Sequence, residues 1–408
     1  MTSKAGKRYI GGFSLNVILI GFISFLTDAS SEMIVPILPL FLTEVMLAPM
    51  LIVGLLEGVA ESTASILKAV SGIWSDRVRR RAPFMTAGYS LSMVSKLLFA
   101  FSTIWQHVVG LKVAERVGKG IRAAPKDALL ADSCTPETRG KAFGFHKAMD
   151  TAGAAVGVAI AFVLVSLLVL DYRTIFLLSA IPALIAVLLI FFLDESERTQ
   201  EKVAKKNDPI FRNIGKFPLE LKVFIAAMGI LSVTSVMTSF LIVMSKESGA
   251  DATTAILLYL VFNIVYAGFS IPAGSMSDRV GRYPIILIGY ASLFLMFIIA
   301  SMCSNLWMAL AAFLLYGFAY ALTQGVQKAL VTDLAPCNLR GSALGLYNMS
   351  IGIAALPMAI AGGVIWDIYG GWATFTFGAA VSSVGLFLLM WLAIRKYGSK
   401  EGFGAIKN

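Results

Sequence analysis

Apolar runs of about 20 residues, the length that crosses the hydrocarbon core of a bilayer, recur along the whole 408-residue chain. Twelve can be marked, at roughly 13–42, 50–74, 84–104, 108–132, 142–169, 173–193, 221–245, 252–275, 284–302, 305–333, 342–366 and 372–394. The pattern predicts an all-α integral membrane protein with twelve transmembrane helices. Composition agrees, since only 14% of residues are charged and 58% are hydrophobic, too few charges to cover the surface of a soluble fold of this size. The first run carries Asp28 and Glu32 and is too long for a cleaved signal segment.

Lys and Arg gather in alternate connecting segments, at Lys4, Lys7 and Arg8, at Arg77 and Arg79–Arg81, at Arg139 and Lys141, along 194–220, at Arg279 and Arg282, at Arg340, and at Arg395 and Lys396. The intervening segments hold Arg173 and Lys246 alone. By the positive-inside rule this places the N- and C-termini in the cytoplasm and requires an even number of spans. The net charge of +10 is then a topology signal and implies no nucleic acid partner. Trp105, Trp366 and Trp372 fall at expected outer edges, as belt residues do. The polar stretch 194–220 reads as a solvated cytoplasmic linker between an N-terminal six-helix bundle (1–193) and a C-terminal one (221–408). Three cysteines without paired spacing and two histidines exclude a disulfide scaffold and an HExxH zinc helix. No GxSxG motif is present either, so no enzyme, metal centre or cofactor is expected.

The chain repeats itself. Ser75-Asp76-Arg77-Val78 recurs as Ser277-Asp278-Arg279-Val280, 202 residues later, and Arg80 then matches Arg282. Ala128, Leu129, Asp132, Arg139, Gly140, Ala142 and Gly144 recur as Ala329, Leu330, Asp333, Arg340, Gly341, Ala343 and Gly345, at an offset of 201. Two matches at nearly one offset describe two six-helix halves of the same topology.

These residues carry a resemblance. The chain is similar to the major facilitator superfamily (MFS) of secondary transporters over nearly its full length. The superfamily's loop signature, roughly G-x-L-a-D-r-x-G-r, is matched by Gly274, Asp278, Arg279, Gly281 and Arg282. In the first half Gly72, Asp76, Arg77 and Arg80 match, but Arg79 stands where the second glycine is usual. The fourth-helix signature R-x-x-x-G appears as Arg116 to Gly120, and Gly144, Gly153 and Gly157 keep the glycine spacing of drug/proton antiporters, with Val158 in place of that signature's proline. The loop residues then act as a conformational latch, or form a static salt bridge at the membrane edge. The resemblance also implies that the first, second, fourth and fifth helices line or flank a central cavity.

Ionisable residues inside spans are costly and usually functional. They crowd the first half, with Asp28 and Glu32 on the first helix, Glu57 and Glu61 on the second, Arg116, Lys119, Arg122 and Lys126 on the fourth, and His146 and Asp150 on the fifth. Carboxylates four residues apart in low dielectric do not both ionise easily, which suits a proton carrier, although a neutralised structural pair has the same spacing. Arg116 resembles the superfamily's coupling arginine, and its alternative is a fixed ion pair. Lys119, Arg122 and Lys126 would attract anions or snorkel to headgroups. The second half offers Asn263, Tyr266, Tyr320 and Gln324, uncharged groups beside aromatics that suit an amphipathic organic molecule or interhelical packing.

The expectation is a proton-coupled secondary transporter of a small molecule working by alternating access, with an efflux antiporter favoured. It would be a monomer in the cell membrane, in contact with lipids and driven by an ion gradient. The alternatives are an anion or organophosphate carrier clamped by the basic fourth helix, and a divalent-cation exporter.

Overall fold

The computed structural model describes residues 9–10, 13–75, 81–134, 138–194, 215–336 and 339–398. The described residues are overwhelmingly helical. The principal helices are α1 (Leu15–Ile34), α2 (Met50–Ser75), α3 (Ala82–Phe99), α4 (Trp105–Asp132), α5 (Arg139–Ser166) and α6 (Tyr172–Ile190). A broken helix follows, α7a (Leu219–Ile230) and α7b (Met237–Glu247), then α8 (Ala252–Val280), α9 (Arg282–Ser301), α10 (Leu306–Leu334), α11 (Arg340–Tyr369) and α12 (Gly371–Gly398). Each expected span has a helical counterpart. Among the described residues ten segments are long and apolar enough to cross a membrane. α3 and α4 are not among them, because α3 is diluted by Ser90, Ser92, Ser95 and Lys96 and α4 carries Lys112, Glu115, Arg116, Lys119, Arg122, Lys126 and Asp127 along its length. The linker expected over 194–220 lies largely outside the described residues.

Local chemistry sets the helix ends. Asp171, Asp251 and Asn305 each accept a hydrogen bond from the backbone N–H three residues on, and so cap α6, α8 and α10. The Thr174 hydroxyl also donates to Asp171 and holds its carboxyl below the usual range, and Thr254 does the same for Asp251. Gly281 is the single residue between α8 and α9, at φ 101°. Only glycine takes that conformation without strain, which gives the second glycine of the loop signature its physical reason. The expected helix over 13–42 breaks at a turn over residues 35–37, and that over 221–245 is also interrupted. Leu231–Val236 forms a 3-10 segment in which Thr234 Oγ1 and Ser235 Oγ donate to the carbonyls three residues back, at 2.8 and 2.7 Å. Such hydroxyls compete with the backbone ladder.

The chain forms two compact units. The first comprises residues up to Phe41 together with Ile66–Asn207. In it α1 packs on α5 and α6, and α3 packs on α4 and α6, around Val17, Ile20, Ile23, Met85, Tyr89, Leu130, Ala186 and Ile190. Two crossings rely on glycine. Gly153 and Gly157 of α5 lie against the backbone of Phe25 and Ala29 in α1, and Gly88 of α3 faces Gly118 of α4. Small residues let helix backbones approach where lipid supplies no hydrophobic drive.

The second unit comprises Leu42–Ser65 together with Asp208–Asn408, so most of α2 packs with the C-terminal helices. Here α10 packs on α8 and α9, and α12 packs on α9, α11 and α7a. Gly54 and Gly58 of α2 lie against Ala359 and Leu356 of α11. The backbone N–H groups of Met50 and Leu51 donate to the two carboxylate oxygens of Asp367 at 2.8 and 2.9 Å. A carboxylate there satisfies orphan donors and complements the helix dipole. We expect Asp367→Ala to cost about 1 kcal/mol, read as a lowered unfolding midpoint in detergent, and Asp367→Asn to cost less. An unchanged midpoint for both would reject the cap.

Candidate functional site

The first unit holds a buried polar cluster with Asp28 at its electrostatic centre. Asp28 is half-buried on α1, and its charge acts on Lys96 of α3, on Lys119 and Lys126 of α4 and on His146 of α5. Lys126 donates to Ser24 Oγ at 3.4 Å, Ser24 Oγ lies 2.8 Å from His146 Nε2, and that nitrogen is 3.7 Å from Asp150 Oδ1. Lys126, Ser24 and His146 are thus linked by hydrogen bonds across α4, α1 and α5, with Asp150 at ion-pair distance from the imidazole. Arg122 donates to Ser92 Oγ at 3.0 Å and stacks over the Tyr89 ring at 4.1 Å. Lys112 and Glu115 form a buried pair at 2.9 Å. Arg116 acts on Glu115 and Lys119, and Glu32 is half-buried one turn beyond Asp28. The expected residues Asp28, Arg116, Lys119, Arg122, Lys126, His146 and Asp150 thus gather in one unit. Lys96, to which the sequence reading gave no role, lies among them at 1% exposure.

Glu57 and Glu61 belong to the other unit. The reason is packing, since the glycine face of α2 seats that part of the helix on α11. Glu57 accepts a hydrogen bond from Ser239 of α7b at 2.6 Å, and Glu61 accepts one from Ser65 at 3.1 Å. Beside them is an aromatic wall. Phe262 stacks on Tyr316 at 4.8 Å between centroids, Tyr316 meets Tyr320 at 4.7 Å, and Tyr266 meets Tyr320 edge-on at 6.1 Å. Glu57 acts electrostatically on Tyr316, and Glu61 acts on Tyr320 and Tyr347. The wall is anchored from behind. Tyr316 donates to the Thr234 carbonyl at 3.0 Å, and Tyr347 donates to Gln327, which donates to Tyr290, at 2.6 and 2.7 Å. Tyr266 and Tyr320 of the wall, together with Glu57, Glu61 and Gln324, remain half-exposed. Asn263 instead donates to the Tyr259 carbonyl of its own helix at 3.0 Å and is buried, so it serves α8 itself.

The duplication is visible as geometry. Arg282 bonds Asp278 at 2.5 Å, Ser277 at 2.7 Å and Asp333 at 3.1 Å. In the first unit Arg81 bonds Asp132. Both Arg–Asp pairs span 51 residues and lie 201 apart in sequence. This corrects the alignment drawn from sequence: the counterpart of Arg282 is Arg81, and Arg80 is displaced by one. Asp76, Arg77 and Arg80 lie outside the described residues, and Gly72 falls within α2. Gly274 and the exposed Arg279 lie near the end of α8. The same offset pairs Glu115 with Tyr316, Lys119 with Tyr320, Arg122 with Thr323 and Lys126 with Gln327. One scaffold thus carries ions in one copy and aromatic and amide groups in the other.

Comparison with known proteins decides the family. The model of the Major Facilitator Superfamily matches residues 20–242 and 222–407. The chain belongs to the Major Facilitator Superfamily. An uncharacterised MFS-type transporter of Methanocaldococcus jannaschii is 36% identical over 387 residues, covering 93% of this chain and 95% of that protein. Multidrug resistance protein MdtG of Proteus mirabilis is 24% identical over 392 residues, covering 93% and 96%. Among solved structures, the nucleoside transporter NupG shares the fold with a TM-score of 0.73 at 16% identity, over 93% of this chain and 99% of that one. The POT family transporter PepTSo shares it with a TM-score of 0.78 at 11% identity, over 94% and 98%. This MFS member is accordingly a multi-pass membrane transporter.

Proposed function

We propose that the protein is a proton-coupled secondary transporter that exports an amphipathic organic molecule in exchange for protons. The observation that carries the reading is the division of labour across the duplication: α4 presents Glu115 and Lys119 where α10 presents Tyr316 and Tyr320. Asp28, with the row through Lys126, Ser24, His146 and Asp150, supplies groups that can bind and pass protons. The wall of Tyr266, Tyr316 and Tyr320, with Glu57 and Glu61 beside it, supplies apolar area, hydroxyls and negative charge, which suits a neutral or cationic amphiphile. Relatives named for multidrug resistance and multidrug efflux support export. In this reading the two sequence halves are the rocking bundles, both termini are cytoplasmic by the positive-inside rule, and the protein works as a monomer in the cell membrane without a cofactor.

Three of the basic residues of α4 are engaged within the unit, Arg122 by Ser92 and Tyr89, Lys112 by Glu115 and Lys126 by Ser24, which weakens an anion clamp built on this helix. Among the described residues no three His, Cys, Asp or Glu side chains converge for a metal ion, so divalent-cation export has no structural support.

The test is flux in proteoliposomes under an imposed pH gradient, with ethidium, a neutral amphiphile and an organic anion as probes. We expect gradient-driven movement of ethidium or the neutral amphiphile, and Tyr320→Ala to raise the half-saturating concentration about tenfold, the loss of roughly 1.4 kcal/mol of ring contact. Flux of the anion alone, or flux indifferent to the pH gradient, would overturn the reading.

A further inference from the structure

We propose that Lys96 takes up and releases a proton during the transport cycle, as a second coupling group beside Asp28. Its role in transport rests on the proton-coupled reading above; its chemistry does not. The duplicated scaffold supplies the first argument. The counterpart of Lys96, 201 residues on, is Phe297. The two side chains are 1% and 0% exposed. The fold therefore fills this position with an apolar ring in one copy and with an amine in the other. An amine at such a site gives up the hydration of its charge, a penalty that packing does not require.

The partners of Lys96 supply the second argument. Its Nζ lies 2.9 Å from Ser30 Oγ, 2.9 Å from Ser31 Oγ and 3.4 Å from the Thr27 carbonyl oxygen, all on one stretch of α1. Among the described residues no carboxylate lies within ion-pair distance of it, in contrast to Lys112, which holds Glu115 at 2.9 Å. The Ser30 and Ser31 hydroxyls accept from the ammonium while donating to the Ser179 and Thr27 carbonyls at 2.5 and 2.9 Å, and one of them must release its carbonyl to donate to the lone pair of an amine. A fixed carboxylate partner would favour the charged form alone.

Charges of both signs surround Lys96. Glu115 of α4 and Asp28 of α1 attract the ammonium, and Arg122 and Lys112 of α4 repel it. Glu32 lies one turn beyond Asp28 on α1. On α6, the charged side chain Arg173 is bonded to the Ala100 carbonyl at 2.6 Å. The protonation state of Lys96 therefore answers to charges of both signs in the cluster, Asp28 among them. The proton leaves as a proton and returns from the aqueous bath, with no other reactant consumed. Because all three acceptors sit on α1, the charge on Lys96 sets how firmly α3 is held to the helix that carries Asp28.

Two measurements test this. In the first, lysine side-chain nitrogens are labelled with ¹⁵N and followed by magnetic resonance from about pH 6 to pH 9, the range in which a buried amine can change state. We expect one signal to pass between ammonium and amine in the wild type and to be missing from Lys96→Arg and Lys96→Met. Lysine signals that all remain ammonium throughout would overturn the proposal, whatever the protein transports. In the second, both variants are reconstituted with ethidium as probe. Arginine is permanently charged and methionine permanently neutral, so neither can alternate. Gradient-driven flux should fall about tenfold or more, a coupling loss of at least 1.4 kcal/mol. Full driven flux in both variants would also overturn the proposal. If the wild type itself ignores the gradient, the antiport reading fails while the titration still decides the chemistry of Lys96. If arginine prevents folding, the methionine variant carries both arms.

Discussion

Gly157→Ala is expected to destabilise the protein by about 2 kcal/mol or more, and Gly144→Ala to leave it unchanged or slightly more stable. A Cβ at Gly157 would press into the carbonyl oxygen of Ala29, and one at Gly153 into that of Phe25, both well inside van der Waals contact. Those atoms are backbone, so no rotamer change can clear them, and α1 would have to move away from α5. Gly144 occupies the same helix, yet a Cβ there meets nothing within 4 Å. The three glycines look alike as a spaced signature and divide sharply in space. Thermal unfolding of the three variants in detergent separates them. Equal midpoints for Gly157→Ala and Gly144→Ala would mean that α1 and α5 do not cross as closely as described.

The second large effect is expected at the buried pair of α4. Lys112→Met should cost about 3 kcal/mol, because it strands the Glu115 carboxylate in the interior. Lys112 and Glu115 side chains are only 5% and 7% exposed. The effect falls at the lower end of the range for broken buried pairs because Arg116 and Lys96 also act on Glu115. Removing both charges, in Lys112→Met with Glu115→Leu, should restore most of the loss, since an apolar pair of similar volume needs no desolvation. A single variant as stable as the double would show that the pair is not an isolated interaction. The same two proteins, assayed for gradient-driven flux, report whether the pair also shapes the field around Asp28.

Much of this architecture was legible in the sequence because a membrane simplifies the problem. Length of apolar run and a fixed offset between repeats are one-dimensional signals, and each expected span has a helical counterpart. Three things were not legible. The break at Leu231–Val236 comes from hydroxyls of Ser and Thr bonding locally, which no hydropathy window registers. The pairing of Arg81 with Asp132 needed a one-residue shift between the two loop motifs, hidden by neighbouring arginines at 79 and 80. The separation of Glu57 and Glu61 from Asp28 depends on which helices the glycine face of α2 packs against. Charge spacing along one helix says nothing about that. Lys96 was visible as a charge in a span, but its meaning appeared only when its place proved to be that of Phe297.

The duplicated framework also divides the protein into two mutational regimes. The clips of Arg81 with Asp132 and of Arg282 with Asp333, and the glycine crossings, are set by backbone geometry, so drift at those positions is penalised whatever the cargo. Tyr266, Tyr320 and Gln324 are half-exposed and make neither the bond of Tyr316 to the Thr234 carbonyl nor that of Tyr347 to Gln327, so substitution there leaves those bonds in place. On the proposed reading, selection on cargo can therefore explore one copy of the scaffold while the other keeps its ionic wiring. A lineage built on this plan can change what it carries many times over without relearning how to fold.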